Sequence, residues 1–531
     1  MNHLLFMTTP KYLFLNVKNN QSIYFLLFFC LLFLGILLRT YKLTSIPAGF
    51  FADEASIGYN AYTILTNGTD EHGVFLPLFF QAFGEYKSPI QIYTTVPFIY
   101  FFGLNESTVR LTSVIYGTLT IISLYLLTKE LSKNSTIAFF TAFFLAISPW
   151  HIHFSRVAFE LMPFVFFTTS GLYFFLKAQE IPKFLFVSTI CFIFAIYSYF
   201  PARLFIPLYC ICIFFLYYKF FFRFKQKTAI AIAITILFLI PFLQHMVSPV
   251  GTNRWKQVSI FTNQPKDESI LGHIFNNYLS HFSLDFLFLK GDIDMPGQFI
   301  SRHSIRGIGQ LYIFQLPLLL LGIWYCFKTL DRKIFLLLTV WLLLYPLGSM
   351  FTLDKNAQAT RSIIGVIPFQ ILSAVGLYYL LKFFGLFKTV KKNYFSFLFA
   401  IVVFGIITFS LTRFLNLYFV KYPLYSSDFW GWQYGAKDIT AYFLKQQDRY
   451  DAYIMSPEFN APEIFFKFYT RNQCHYCKIG TPDTLYNPTH KQLFAVTPRY
   501  LSQNSRFHFI TKEVIFYPNN TIAFQIGEIV E

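Results

Sequence analysis

Long apolar runs separated by short polar breaks set the pattern of this chain. A helix that crosses a bilayer needs about 20 mostly apolar residues, and eleven stretches approach that length. They lie near 22–39, 108–128, 134–150, 161–176, 184–200, 204–218, 228–246, 309–327, 334–352, 362–381 and 394–412. The first is not read as a cleavable signal, because no small-residue cleavage site follows it and Arg39-Thr40-Tyr41-Lys42 comes next. Beyond residue 412 the pattern changes. A turn-rich aromatic stretch over 422–428 precedes a predicted helix near 432–446, a strand over 453–456 and a second helix from Ala461. A hairpin follows, with strands 514–517 and 521–526 flanking Pro518-Asn519-Asn520. The expected fold is a polytopic α-helical membrane protein of about 11 transmembrane helices over 1–412. A small α/β domain over 413–531, large enough for its own core, completes it.

Composition agrees: mean hydropathy is +0.48, with 55% hydrophobic and 13% charged residues, outside the range of soluble domains. A net charge of +17 would suggest nucleic acid in a soluble protein, but its distribution excludes that class. With the N-terminus inside, the inner segments are 1–21, 129–133, 177–183, 219–227, 328–333 and 382–393. They hold seventeen Lys and Arg against three acids, Glu130, Glu180 and Asp331. This is the positive-inside pattern. Treating the apolar stretch 89–103 as a full crossing would turn the Lys129–Lys133 and Lys219–Lys227 loops outward. It is therefore read as a membrane-abutting or re-entrant piece, its backbone ends covered by protein or a wet cavity. Polar mass then gathers on the outer face: the first outer loop 40–107, the large outer loop 247–308 and the tail. The 72 Phe are ascribed to coding bias rather than to function.

The candidate chemistry lies on that same face. Asp53 and Glu54 begin the first polar loop after the first apolar run, where a polar reaction can meet a lipid-borne substrate. Asp53 suits a base for an acceptor hydroxyl. Glu54 either turns away to organise the loop or helps orient the acceptor or a cation. Lys87, in Gly84-Glu85-Tyr86-Lys87-Ser88-Pro89, falls at headgroup depth, where its bland reading is a snorkelling anchor. Arg156, followed by Glu160, and Arg361 lie on other outer segments, and a guanidinium fork suits a phosphate. Neither Gly-x-x-x-x-Gly-Lys-Ser/Thr nor Gly-x-Gly-x-x-Gly precedes a helix, so no nucleotide-phosphate cradle is signalled. Cys474 and Cys477 favour a structural disulfide, or no bond, over metal, because a zinc site needs a second ligand pair.

Several of these pieces together resemble a known family. The stretch Pro47-Ala48-Gly49-Phe50-Phe51-Ala52-Asp53-Glu54-Ala55 is similar to the first loop of GT-C membrane glycosyltransferases. The types it resembles are the protein O-mannosyltransferases and aminoarabinose transferases (glycosyltransferase family 39-like). Glu85-Tyr86-Lys87-Ser88-Pro89, Asn105-Glu106-Ser107-Thr108-Val109-Arg110-Leu111, Ser148-Pro149-Trp150-His151, Thr360-Arg361 and Trp432-Gln433-Tyr434-Gly435-Ala436-Lys437 extend the likeness over almost the whole chain. Aminoarabinose transferases show Glu-Lys-Pro-Pro where this chain has Glu-Tyr-Lys-Ser-Pro, which shifts Lys87 by one position. The resemblance implies inverting transfer of a sugar from a polyprenyl-phosphate donor to a hydroxyl of a protein, lipid or glycan at the extracytoplasmic face. It also implies a prokaryotic cell-membrane protein with Asp53 as base. The expected site is Asp53 and Glu54 as catalytic acids, with Glu85, Lys87, Arg156, Glu160 and Arg361 binding donor phosphate or substrate. No metal site is read from the residues, and a divalent cation stays open as cofactor. The rival class is a flippase or transporter of a lipid-linked sugar, which calls for charges within the spans and matched broken helices. A membrane-anchored binding or sensing protein would explain the tail but not eleven spans.

Overall fold

The computed structural model describes residues 21–249, 251–262, 269–292, 301–354, 356–386, 394–504 and 506–530. Each of the eleven expected spans coincides with a helix. The first nine helices are α1 (Gln21–Thr40), α2 (Ala52–Asn67), α3 (Pro89–Phe102), α4 (Glu106–Ser132), α5 (Ser135–Ile147), α6 (Pro149–Ser155), α7 (Leu161–Ala178), α8 (Phe184–Ile196) and α9 (Ala202–Leu216). The bundle continues through α10 (Lys225–Val247), α11 (Gln315–Thr329), α12 (Arg332–Leu344), α13 (Val366–Phe383) and α14 (Tyr394–Asn416).

By length and composition, six helical stretches among the described residues can cross a membrane, or seven if the bent pair α5–α6 is one span. That is fewer than the eleven expected, and proline accounts for part of the difference. Ser148 leaves the helical region (ψ 124°) ahead of Pro149, and the chain bends by 58° into α6. A residue before proline is pushed out of the α region by the proline ring. Pro346 follows the end of α12 and a short helix, Leu347–Met350, resumes after it, yet the whole stretch Arg332–Met350 still counts among the six. The stretch 89–103, expected to abut the membrane, is α3. It packs on α2 and α4 and leaves Tyr100, Phe101 and Phe102 exposed at its tip.

Between α2 and α3 runs a hairpin of β1 (Phe80–Ala82) and β2 (Glu85–Lys87), pairing Ala82 with Glu85 and Phe80 with Lys87. Its two-residue turn, Phe83-Gly84, has positive φ at both positions (54° and 79°), the handedness that matches strand twist. Side chains alternate along a strand, so Glu85 and Lys87 share a face.

The C-terminal region holds a five-stranded mixed sheet. In chain order its elements are α15 (Ala436–Lys445), β3 (Ala452–Met455), α16 (Glu463–Thr470), β4 (Cys477–Ile479), β5 (Gln492–Val496), β6 (His508–Phe516) and β7 (Ile522–Val530). The strand order is β4-β3-β5-β7-β6, with β3 parallel to both neighbours and the β6–β7 hairpin antiparallel at one edge. A disulfide joins Cys474 to Cys477, the first residue of β4. One face of this sheet buries its own cluster of Ala452, Ile454, Phe494 and Val496, and the other face packs toward the bundle. Phe465 and Phe468 of α16 and Ile439 and Phe443 of α15 join one apolar cluster with Phe50, Ala55 and Ile57 around α2 and Val109 of α4. Polar ties reinforce the seam: Lys437 pairs with Glu106 at 3.1 Å, and Lys467 with Glu71 at 2.8 Å. The first loop after α1 is thereby clamped between bundle and sheet. Gly49 (φ +113°) passes so close to the Trp432 carbonyl that a Cβ there would lie 2.3 Å from its oxygen. Only glycine fits that approach.

Candidate active site

Asp53 and Glu54 stand in the first turn of α2 rather than in open loop. Carboxylates are favoured at that end by the helix dipole, and successive helical residues point about 100° apart. The two acids therefore diverge.

Glu54 turns inward. Its carboxylate accepts two hydrogen bonds from Arg110 (2.9 and 3.0 Å), one from the Phe51 N–H (3.2 Å) and one from the Ala158 N–H (2.9 Å). Both side chains of the pair are 0% exposed. Arg110 spends its remaining donors on the carbonyls of Leu43, Pro47 and Gly49. Of the two alternatives for Glu54, the structure selects the organiser: the Glu54–Arg110 pair pins the 43–54 loop, and Glu54 does not line the cavity that Asp53 faces. The catalytic assignment expected for Glu54 is corrected accordingly.

Asp53 turns outward, into a cavity of about 280 Å³. The walls come from the start of α2, the β2 strand, the outset of α7, the 199–204 segment, residues Arg302 and His303, and the 347–361 segment. Asp53 Oδ1 meets Lys87 Nζ at 2.6 Å; the lysine side chain is 3% exposed and the aspartate 34%. Burial works against the charge on Lys87, yet Asp53, Glu160 and Glu85 together hold its pKa above the ordinary value. Glu160, just ahead of α7, accepts a hydrogen bond from the Ser88 N–H. Burial, with Asp53 and Glu85 nearby, pushes its pKa up to about 7 against the opposing pull of Lys87 and Ser88. Arg361 lines the same cavity and donates to Asp354 Oδ2 at 2.6 Å.

The structure thus brings Asp53, Glu85, Lys87, Glu160 and Arg361 to one cavity, and not Arg156. That guanidinium donates to the carbonyls of Leu38 (3.1 Å), Tyr41 (2.7 Å) and Ile46 (2.8 Å), and stacks over Phe419 and Tyr418. The last carbonyls of a helix have no partner within it; Arg156 satisfies those at the end of α1. The phosphate-holding role expected of it is corrected to that of a buried cap.

Four basic cavity groups were missed by sequence reasoning: Arg203, His245, Arg302 and His303. Arg203 opens the span after a very short outer segment, a visible placement that was not weighed. Arg302 and His303 sit in the large outer loop, where no periodicity marks them. Arg302 lies over the Phe51 ring at 4.2 Å and donates to the Trp430 carbonyl at 2.8 Å. Burial, and then Arg302, Arg361 and His153 around it, press the His303 pKa well below its ordinary value, so the ring is neutral. Among the described residues, no group of three or more His, Cys, Asp or Glu is placed to hold a metal ion.

The fold around this cavity matches known architectures. The structure of ArnT from Cupriavidus metallidurans bound to undecaprenyl phosphate aligns with a TM-score of 0.55 at 12% identity, over 96% of this chain and 98% of that one. The family model for dolichyl-phosphate-mannose-protein mannosyltransferases matches residues 29–248, which include Asp53, Lys87 and Glu160. The fold is that of a GT-C membrane glycosyltransferase. AglB, the oligosaccharyltransferase of Archaeoglobus fulgidus, in complex with an inhibitory peptide and a dolichol-phosphate, aligns at a TM-score of 0.53 and 12% identity. That alignment covers 95% of this chain and 74% of AglB. No curated protein sequence matches. Within the GT-C frame, a helical bundle and a small sheet-bearing C-terminal region enclose a polar cavity.

Proposed function

We propose that this GT-C protein transfers a sugar, with inversion, from a polyprenyl-phosphate donor to an acceptor hydroxyl at the outer face of a prokaryotic cell membrane. The observation that carries the reading is the pairing of Asp53 with Lys87 at the wall of a cavity that also presents Arg361. Asp53 takes the proton of the acceptor hydroxyl as its oxygen attacks the anomeric carbon. The bond from that carbon to the phosphate oxygen breaks, and polyprenyl phosphate leaves with the electron pair. Such a leaving group needs no general acid; it needs positive charge around its oxygens. Lys87 holds and aims the Asp53 carboxylate, and the cations of the cavity face the departing phosphate. Glu160 and Glu85 border the same space and supply acceptors for substrate hydroxyls. The lysine- and arginine-rich inner segments support an N-terminus inside and the C-terminal sheet outside.

The test is Asp53→Asn in the purified full chain. Transfer from a polyprenyl-phosphate sugar is expected to fall about 10²- to 10⁴-fold, with undecaprenyl phosphate binding unchanged. Normal turnover by that variant would remove the base and this reading with it.

A further inference from the structure

A second cleft, of about 670 Å³, shares no lining residue with the cavity that Asp53 faces. Its size falls within the about 300–1,000 Å³ of small-molecule sites. One segment walls both spaces: Gly49 and Phe50 line the cleft, and Phe51 and Asp53 the cavity. The rest of the cleft comes from the chain just beyond α1 and α14, the first turns of α4 and α15, and the end of α16.

Four charged side chains line it, two of each sign: Lys42 and Lys437, Glu106 and Asp438. Lys437 meets one Glu106 oxygen at 3.1 Å, and the Tyr469 hydroxyl donates to the other at 2.5 Å. Charges so balanced leave no surplus field to draw in a phosphate or another anion. The uncharged polar side chains are those of Thr44, Ser45, Gln433, Tyr434 and Tyr469, and Phe50 and Phe419 add apolar rings. Hydroxyls that both donate and accept suit such a mixed lining, and aromatic rings with a polar tip suit a ligand that is apolar on one face and wet at its edge.

Gln433 decides what is missing. Its side chain is 3% exposed, Nε2 donates to the Phe429 carbonyl at 3.3 Å, and Oε1 is buried with no hydrogen-bond partner. Turning the amide over would set two acceptors face to face. A buried acceptor with no donor is destabilising. The backbone adds to that cost, since Gln433 holds φ at 55°, in the left-handed region that favours glycine. Local violations of this kind mark positions where function, rather than stability, chose the residue. The absent partner is a donor, and in a charge-balanced cleft it is an uncharged one.

We propose that this cleft is a second saccharide site, taking a neutral oligosaccharide whose hydroxyl donates to Gln433 Oε1 and whose ring lies against Tyr434. It holds a part of the glycan that does not react, because Asp53 faces the other cavity. Binding here does not depend on Asp53 acting as a base.

The experiment places the full chain in lipid nanodiscs, free of sugar-headed detergent, and titrates mannotriose, maltotriose and, as an anionic control, trigalacturonate. The wild-type chain is expected to bind at least one of the neutral trisaccharides, and more tightly than trigalacturonate. Gln433→Met and Tyr434→Ala should each raise that Kd tenfold or more. Thr44→Trp, at an exposed position on the rim, should do the same by filling the cleft. Asp53→Asn should leave the Kd unchanged. The saccharide-free unfolding midpoint of Gln433→Met should hold or rise, because an unpartnered acceptor is removed. No binding of either neutral trisaccharide would overturn the site, and tighter binding of trigalacturonate would overturn its neutral class. Full affinity in the three cleft variants, or loss of affinity in Asp53→Asn, would put the saccharide elsewhere and overturn the assignment. A lowered midpoint with lost binding in Gln433→Met, beside normal binding in Thr44→Trp, would make Gln433 scaffold and overturn it as well.

Discussion

Two neighbouring acids on one helical turn, each with a basic partner, do opposite work. Glu54 and Arg110 are sealed from solvent, with every strong donor and acceptor matched by a loop carbonyl or amide. Asp53 and Lys87 stand at a cavity wall, the aspartate side chain 34% exposed and the lysine 3%. A buried pair of the first kind contributes through the geometry it enforces. Its own net stabilisation is modest, since desolvation offsets most of the attraction. The Asp53–Lys87 pair stands instead at the wall of the cavity, where a molecule that enters can reach it. The lesson is that residue type and adjacency do not tell a cavity-lining acid from a buried organiser; burial and the side that each carboxylate faces do.

The comparison can be broken most sharply by exchanging the two acids' fates. Asp53→Asn should remove nearly all transfer while the unfolding midpoint barely moves; a large loss of stability would place Asp53 with the scaffold. Glu54→Gln should do the reverse first. Leaving Arg110 charged and uncompensated is expected to cost about 3–5 kcal/mol, read as a lower midpoint, with activity lost only as the 43–54 loop loosens. Preserved stability in Glu54→Gln would refute the organiser role. Arg156→Met leaves carbonyls at the end of α1 unmatched, at about 1–3 kcal/mol for such a buried group. Its affinity for undecaprenyl phosphate should not change, and a weakened Kd without destabilisation would return Arg156 to the phosphate.

The subtlest readout, a pH dependence rather than a loss, concerns Glu160. Its pKa is raised from 4.5 to about 7 in the folded protein. Between those values the unfolded chain releases a proton that the folded chain keeps, so this group's contribution to stability is full below pH 4.5. It declines as pH rises and is lost by about pH 7, with a slope of at most about 1.4 kcal/mol per pH unit. Glu160→Gln should flatten that part of the melting-temperature profile between pH 5 and 7. An unaltered profile would show that Glu160 ionises as an ordinary carboxylate.

Several elements were legible from the chain because their signals are local. Apolar runs located the helices, and alternation with a turn located the C-terminal hairpin, observed as β6 and β7. The motif around Asp53 and the Glu85–Lys87 stretch pointed to groups that do meet in one cavity. Strands β4 and β5 escaped notice, being a three-residue edge and a continuous apolar run without alternation. Arg302 was silent for a different reason: nothing in the spacing of the large outer loop shows where it folds back against Phe51.

By itself, the order of residues determined a membrane-embedded helical protein with its polar chemistry gathered on one face, since transfer from water to lipid depends on side chains one at a time. Tertiary structure alone decided which of Asp53 and Glu54 faces the cavity, that Arg156 closes α1, and that Arg203 and Arg302 share the cavity with Asp53. Those outcomes hang on partners far apart in the chain, such as Arg110 with Glu54 across 56 positions and Arg156 with Tyr41 across 115. Hydrogen-bond direction and burial, which settle such contacts, exist only once the helices have packed.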